Sequence, residues 1–316
     1  MQHRFPLLRV EDLKVGRDGV GHGYRITYNT DVKKYNPLIK PYLKWAGGKR
    51  QLLADIKKCL PKDINNYTYY EPFVGAGAVF FELQPKKAVI NDINEQLFLT
   101  YNAIKENFDD LVLLLKNHQE RNDKEYYYKI RNMDRDLIKF NKLTNTEKAA
   151  RLIFLNKTCF NGLYRVNSQG LFNVPYGKNK NPAICEEIVL HQISNYLNSN
   201  EISILNNDFE YAVSTAGKRS FIYFDPPYHS PDKTSFTGYQ VNGFNESEQE
   251  RLRNVMLKMT SRGIKCLLSN SDTEYIRELY NHDFFEIIPV QAKRAINSDS
   301  TGRGIVNEVL IKNWKD

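Results

Sequence analysis

The residues of this sequence best suited to do chemistry are Asp225-Pro226-Pro227-Tyr228. They follow Phe221-Ile222-Tyr223-Phe224, an apolar aromatic run that reads as a buried strand. The two prolines end that strand, because neither can donate to a sheet ladder. Pro226 also drives Asp225 out of the helical region. A carboxylate, a carbonyl without a competing N–H and an aromatic ring thus meet at the carboxyl end of a strand, where open α/β sheets hold ligands. A planar exocyclic amine suits such a corner. Asp225 can accept one of its N–H bonds and the Pro226 carbonyl the other, which favours a pyramidal, nucleophilic nitrogen while Tyr228 stacks on the ring. The plainer alternative is a tight turn capped locally by Asp225, and four residues alone do not exclude it.

Three stretches could place a ligand beside that corner. Trp45-Ala46-Gly47-Gly48-Lys49-Arg50 leads into a helix expected over 51–59. Adjacent glycines let the backbone approach a ligand, and a helix start with Lys49 suits an anion such as a cofactor carboxylate. A phosphate loop would need Ser or Thr where Arg50 stands. Trp45 could equally be core. Next, a strand over 67–70 runs into Glu71-Pro72-Phe73-Val74-Gly75-Ala76-Gly77 and a helix, and a second short strand ends at Asn91-Asp92. An acid at that place takes ribose hydroxyls. The position for a third small residue holds Phe80, which argues for a nucleoside ligand without a pyrophosphate. Finally, Asp208-Phe209 follows a strand over 202–205 and offers an acceptor and a ring for an adenine edge and face.

The elements around these stretches alternate strand and helix, except between Asn94 and Ser199, where apolar residues recur at helical spacing. Residues 121–180 hold 13 Lys or Arg against 5 Asp or Glu, an excess equal to the +8 of the whole chain. A solvated helical face explains much of this over 124–142. The segment 160–180 is different: it mixes Gly, Asn, aromatics and Arg without helical period and reads as a presented loop or hairpin. Arg and Asn read guanine and adenine edges bidentately, and aromatics wedge into stacks. Toward the C-terminus come a loop over 229–245, a helix over 246–261, a strand over 264–269, a helix over 273–281, a strand over 284–290, a polar loop over 293–304 and a closing strand over 305–314.

The 316 residues, 41% of them hydrophobic, can fill one large α/β domain and a smaller one, and a pI near 9.1 suits a polyanionic partner. Cys59, Cys159, Cys185 and Cys266 stand singly, which indicates neither a zinc site nor a disulfide framework. No apolar run is long enough to span a membrane, and residues 1–39, rich in Arg and Gly, lack a signal-peptide core. A reducing cytoplasm is the expected compartment.

Lys44-Trp45-Ala46-Gly47-Gly48-Lys49, Glu71 to Gly77 and Asp225 to Tyr228, in this order, resemble the three signatures of Dam-like DNA adenine-N6 methyltransferases of the α group. The likeness runs from about Pro41 to the C-terminus and is nearest to the DpnM (DpnII-type) branch. It includes Asn161-Gly162-Leu163-Tyr164-Arg165-Val166-Asn167 and Phe172 to Gly177, similar to the family's recognition hairpin. The resemblance implies a class I, Rossmann-like sheet of seven strands with an antiparallel last strand, plus a mainly helical DNA-recognition domain. By position, residues 40–107 and 200–316 would form the catalytic domain, 108–199 the recognition domain and 1–39 an N-terminal arm. It further implies S-adenosylmethionine as donor, S-adenosylhomocysteine as product, no metal, double-stranded DNA as partner, no obligatory protein partner, and GATC as target. Asp225, Pro226, Pro227 and Tyr228 would be catalytic. Trp45, Gly47, Lys49, Glu71, Phe73, Gly75, Gly77, Asp92, Asp208, Phe209 and Asp225 would hold the cofactor. Lys44, Phe160, Asn161, Leu163, Arg165, Asn167, Pro175 and Lys178 would meet DNA. Ala76 departs from the glycine common at its position and fits unless a positive φ is needed there. A methyltransferase acting on RNA adenine or a protein amide would share the Asp225 corner without needing the hairpin. A silent nucleic-acid-binding module would share only the charge.

Overall fold

The computed structural model describes residues 15–17, 24–26, 35–45, 47–231, 244–293 and 305–315. Ala46, most of the 1–39 arm, and the larger parts of the loops expected over 229–245 and 293–304 lie outside the described residues. The chain divides into two compact units, Met1–Pro37 and Leu38–Asp316. In the first, β1 (Val15–Arg17) pairs antiparallel with β2 (Tyr24–Ile26).

The second unit is built on a seven-stranded sheet. Its strands are β3 (Thr68–Glu71), β4 (Lys87–Asn91), β5 (Glu201–Leu205), β6 (Ser220–Phe224), β7 (Lys265–Ser271), β8 (Glu286–Lys293) and β9 (Ile305–Lys312). Their spatial order is β5-β4-β3-β6-β7-β9-β8. The first five in that order run parallel, and β9 enters antiparallel between β7 and β8. Strand order reverses between β3 and β6, the switch point where such sheets open a crevice at the carboxyl ends of the strands.

The helices are α1 (Leu53–Lys58), α2 (Ala78–Leu83), α3 (Glu95–Glu106), α4 (Phe108–Glu120), α5 (Lys124–Arg131), α6 (Leu137–Asn141), α7 (Asn145–Thr158), α8 (Glu187–Ser199), α9 (Phe209–Ala212), α10 (Glu246–Ser261) and α11 (Glu274–Leu279). All five residues of β6 are buried, as a strand covered on both faces requires. Side chains alternate faces along a strand: Phe221 and Tyr223 join the core under α2, α3, α7 and α8, while Ile222 and Phe224 join the core under α9, α10 and α11. Between β4 and β5 the chain is helical, as its spacing predicts. There α7 starts at a capping box in which Thr144 accepts from the Glu147 N–H and Glu147 accepts from the Thr144 N–H. Nine residues of α7 are buried, so it forms the centre of the insert.

After α7, Asn161 (φ 56°) and Gly162 (φ 66°) turn the chain through the left-handed region, open to Asn and Gly at low cost. A hairpin follows. Antiparallel bridges join Cys159 to Tyr176 and Val166 to Phe172. Its inner residues Tyr164, Phe172 and Val174 lie in the same core cluster as Tyr69 and Phe221, so insert and sheet share one interior. Burying a Phe172 side chain stabilises by roughly 1.5–3 kcal/mol.

Candidate active site

Four sequence-predicted acids end strands on the same edge of the sheet: Glu71 at β3, Asp92 after β4, Asp208 after β5 and Asp225 after β6. Asp225 stands at the switch point. Its Oδ1 accepts from the Ser269 hydroxyl on β7 at 2.8 Å and faces the Lys49 ammonium at 2.8 Å. Ser269 in turn lies 2.9 Å from the Tyr223 hydroxyl. Burial pushes the Asp225 carboxyl above the ordinary aspartate value, and Lys49 and then Ser269 oppose that shift. Among the described residues nothing donates to the Pro226 carbonyl, whereas the Pro227 carbonyl accepts from Gln249 Nε2 at 3.0 Å. Gln249 is itself fixed by buried Asn270 at 3.0 Å. The Tyr228 hydroxyl donates to Glu308 on β9 at 2.9 Å, and the Lys49 ammonium lies 4.5 Å from its ring centre. The elbow thus carries a carboxylate held by Lys49 and Ser269, a carbonyl without a donor among the described residues, and a ring tethered to Glu308.

Lys49 also donates to the Gly47 carbonyl at 2.5 Å, and Gly47 has φ 74°. Glu71 is 2% exposed and accepts from the Tyr69 hydroxyl at 2.7 Å. Burial holds its carboxyl well above the usual range; the Tyr69 bond lowers it and the Asp225 charge raises it further. The turn beyond β3 has Gly75 at φ 51° and Gly77 at φ 77°. A Cβ on Gly77 would sit 2.7 Å from the Tyr101 hydroxyl, so only glycine fits there. Gln84 and Asn161 are the described non-glycine residues with positive φ, and Ala76 is therefore accommodated without strain.

Asp92 lies across this turn. Its Oδ2 accepts from the Gly75 N–H and its Oδ1 from the Asn94 N–H, each at 2.9 Å. Burial pushes its carboxyl up to about 6 against those two hydrogen bonds. Each oxygen keeps lone pairs for further donors, such as vicinal hydroxyls. The Phe73 ring, from the same turn, packs on Phe209 with centres 5.3 Å apart. A glycine cradle, an acid with spare acceptor capacity and an aromatic pair fit a nucleoside-bearing cofactor without a pyrophosphate. Asp208 is differently engaged: its carboxylate caps α9 through the Glu210 N–H at 2.9 Å and pairs with Arg251.

The predicted recognition residues gather on and beside the hairpin. Phe160, Asn161, Arg165, Pro175 and Lys178 are exposed, as is the Lys44 side chain; Leu163 is half-buried. Arg165 Nε donates to Asn173 Oδ1 at 2.7 Å. Asn167 builds the tip, its Oδ1 accepting from Gln169 and Leu171 N–H groups at 3.1 and 2.9 Å. The hairpin is anchored from behind by a buried ion pair, Arg151 Nη2 to Asp134 Oδ2 at 2.8 Å; that same Oδ2 accepts the Phe172 N–H at 3.0 Å. Arg135 also pairs with Asp134 and donates to the Phe172 carbonyl.

Sequence reasoning missed several residues that organise the site. Asn91 donates to the Pro72 and Asn207 carbonyls, both at 2.9 Å, and so ties together the turns after β3, β4 and β5. Its place directly before Asp92 is the signal that could have found it. Ser269 and the Asp134–Arg151 pair carry no local signature.

Sheet order, the reversed β9 and the strand-end acids define a class I methyltransferase, a Rossmann-like fold. The family model described as D12 class N6 adenine-specific DNA methyltransferase matches residues 45–296. The chain belongs to that family. It is 45% identical over 277 residues to the type II methyltransferase M1.LlaDCHI of Lactococcus lactis subsp. cremoris, covering 87% of this chain and 96% of that one. It is 44% identical over 298 residues to the type II methyltransferase M.MjaIII of Methanocaldococcus jannaschii, covering 87% and 99%. With the DNA adenine methylase of Escherichia coli K12 it shares 34% over 275 residues, covering 86% and 94%. The resemblance carried by the three signatures thus holds. The chain is an adenine-N6 DNA methyltransferase, DNA is its expected partner, and the family implies S-adenosylmethionine as donor. Among the described residues no helix is long and apolar enough to cross a membrane.

Proposed function

We propose that the enzyme methylates N6 of an adenine rotated out of duplex DNA at GATC sites, in the cytoplasm, in a restriction-modification or phage and host protection role. The observation that carries this reading is the Asp225 elbow, where a half-buried carboxylate paired with Lys49 adjoins a Pro226 carbonyl to which no described residue donates. The GATC target rests on the resemblance alone.

When bound, S-adenosylmethionine supplies an electrophilic methyl on its sulfonium. Asp92 would hold the ribose hydroxyls, Phe73 and Phe209 the adenine faces, and Lys49 with the Gly47 turn the carboxylate end. Trp45, Glu71, Gly75, Gly77 and Asp208 would shape that pocket. Extruding the target base costs a few kcal/mol. Tyr228, tethered to Glu308, would stack on it, worth roughly 1–3 kcal/mol. Asp225 and the Pro226 carbonyl would accept the two N6 hydrogens and aim the nitrogen lone pair, while Pro227 fixes the elbow's backbone. The rate gain is positioning and electrostatics. Residues 40–107 and 200–316 would carry the chemistry and 108–199 the recognition, through Lys44, Phe160, Asn161, Leu163, Arg165, Pro175 and Lys178, with Asn167 shaping the tip.

Labelled S-adenosylmethionine incubated with duplexes that contain or lack GATC tests the reading. Label is expected only in the GATC duplex, at N6 of adenine, and Asp225→Ala should abolish transfer while duplex binding persists. Equal labelling of both duplexes removes the target sequence, and turnover by Asp225→Ala removes the elbow from its role.

A further inference from the structure

We propose that Tyr164 couples the recognition hairpin to the cofactor cradle, so that a ligand on either one strengthens binding on the other. The proposal rests on the reading above, in which the hairpin meets DNA and the cradle holds the donor.

Tyr164 is 7% exposed and packs between two aromatic rings. Its ring stacks on Trp45 with centres 4.6 Å apart and planes at 27°. The edge of Phe172, on the opposite arm of the hairpin, approaches it at 5.8 Å. The Asn94 backbone N–H holds Asp92 Oδ1 at 2.9 Å, and its side chain caps α3 through the Gln96 and Leu97 N–H groups.

Trp45 leads directly to the cradle. A Cβ on Gly75 would lie 3.2 Å from its indole Cδ1, and the Gly75 N–H holds Asp92 Oδ2 at 2.9 Å. The stack is also kept in register. Buried Asn156 accepts the Lys44 N–H at 2.9 Å and donates to the Lys44 carbonyl at 2.8 Å and the Gly162 carbonyl at 3.0 Å. Lys44 Cδ fills the space where a Gly162 side chain would begin, 2.4 Å from the position of its Cβ. The segment before Gly47 and the start of the hairpin thus move together.

A ligand in the cradle fixes Trp45. A duplex on the hairpin fixes Tyr164. Both hold the same contact, so the ordering cost met by the first is not met again by the second. Linkage makes the effect reciprocal. Tyr164 touches neither reacting group and is a positioning residue.

S-adenosylhomocysteine is titrated calorimetrically into the full chain, alone and with saturating GATC duplex. The wild type is expected to bind it more tightly with duplex, within the roughly 5–150-fold range of allosteric coupling. Tyr164→Leu loses the stack on Trp45, and its ratio should approach unity with little change in affinity for either ligand alone. Tyr164→Phe keeps the stacked ring and should keep the ratio of the wild type. A wild type without coupling, a Tyr164→Leu ratio equal to the wild type, or a Tyr164→Phe ratio near unity overturns the proposal, the last even where the Leu variant does not fold. Methylation of the same duplex by the wild type is checked first. Failure there counts against the target sequence, and the titration then uses the duplex that the enzyme does methylate.

Discussion

The Lys49 ammonium lies 2.8 Å from Asp225 Oδ1 and 4.5 Å from the centre of the Tyr228 ring. Those are an acceptor and a stacking face proposed for the target base, so the lysine must share or give up both when the base enters. It also opposes the upward push of burial on the Asp225 carboxyl. Lys49→Met removes that opposition and raises the Asp225 pKa further. The acid limb of the single-turnover rate should therefore move to higher pH, read from rates measured between about pH 5 and 9. Lys49→Arg keeps the charge and should keep the limb in place.

Asp92 makes the apoprotein less stable as pH rises. Its carboxyl is raised to about 6, so the native state binds a proton more readily than the unfolded chain. That contribution is fully present below the unfolded aspartate value and is lost as pH rises through about 6. The melting temperature of Asp92→Asn should gain on the wild type over that interval. The variant should also lose affinity for S-adenosylhomocysteine, measured by calorimetry.

Gly77→Ala should destabilise the cradle. The backbone at φ 77° costs an alanine about 1–2 kcal/mol. The new Cβ, 2.7 Å from the Tyr101 hydroxyl, also disturbs the bond that this hydroxyl donates to the Gly75 carbonyl at 3.1 Å. Thermal denaturation with and without S-adenosylhomocysteine checks both effects.

Asp134→Asn should loosen the hairpin from behind. It leaves Arg151, 1% exposed, without its counter-charge, and breaking a buried pair costs about 3–5 kcal/mol. Hydrogen exchange at the Phe172 amide should accelerate beyond the change in global stability measured by urea denaturation.

Arg165→Ala should relax discrimination at one guanine by about 1–3 kcal/mol if the contact is bidentate. With Nε engaged by Asn173, its two terminal nitrogens are the pair left for a guanine edge. Methylation of duplexes substituted at each position of the proposed GATC target reads this, and an unchanged preference removes Arg165 from base recognition.

The amino-acid sequence by itself determined the strand ends and what stands at them. Pro226 and Pro227 stop β6 at Asp225 by covalent geometry, Gly75 and Gly77 take left-handed conformations that most other residues adopt only at a cost, and the aromatic run of β6 has no polar face to expose. Apolar spacing likewise marked the helical insert. The polar contacts that tune those groups were decided by tertiary structure alone. Ser269 reaches Asp225 across 44 residues and Asn156 reaches Lys44 across 112. Trp45 meets Tyr164, and Asp134 meets Phe172, only because insert and sheet share a core. Asp208 and Asn167 show the converse, residues of suitable type that the fold turns to Arg251 and to a turn. A hydrogen-bonding side chain does not encode its partner. Burial forces it to find one, and the strand order decides which group is within reach.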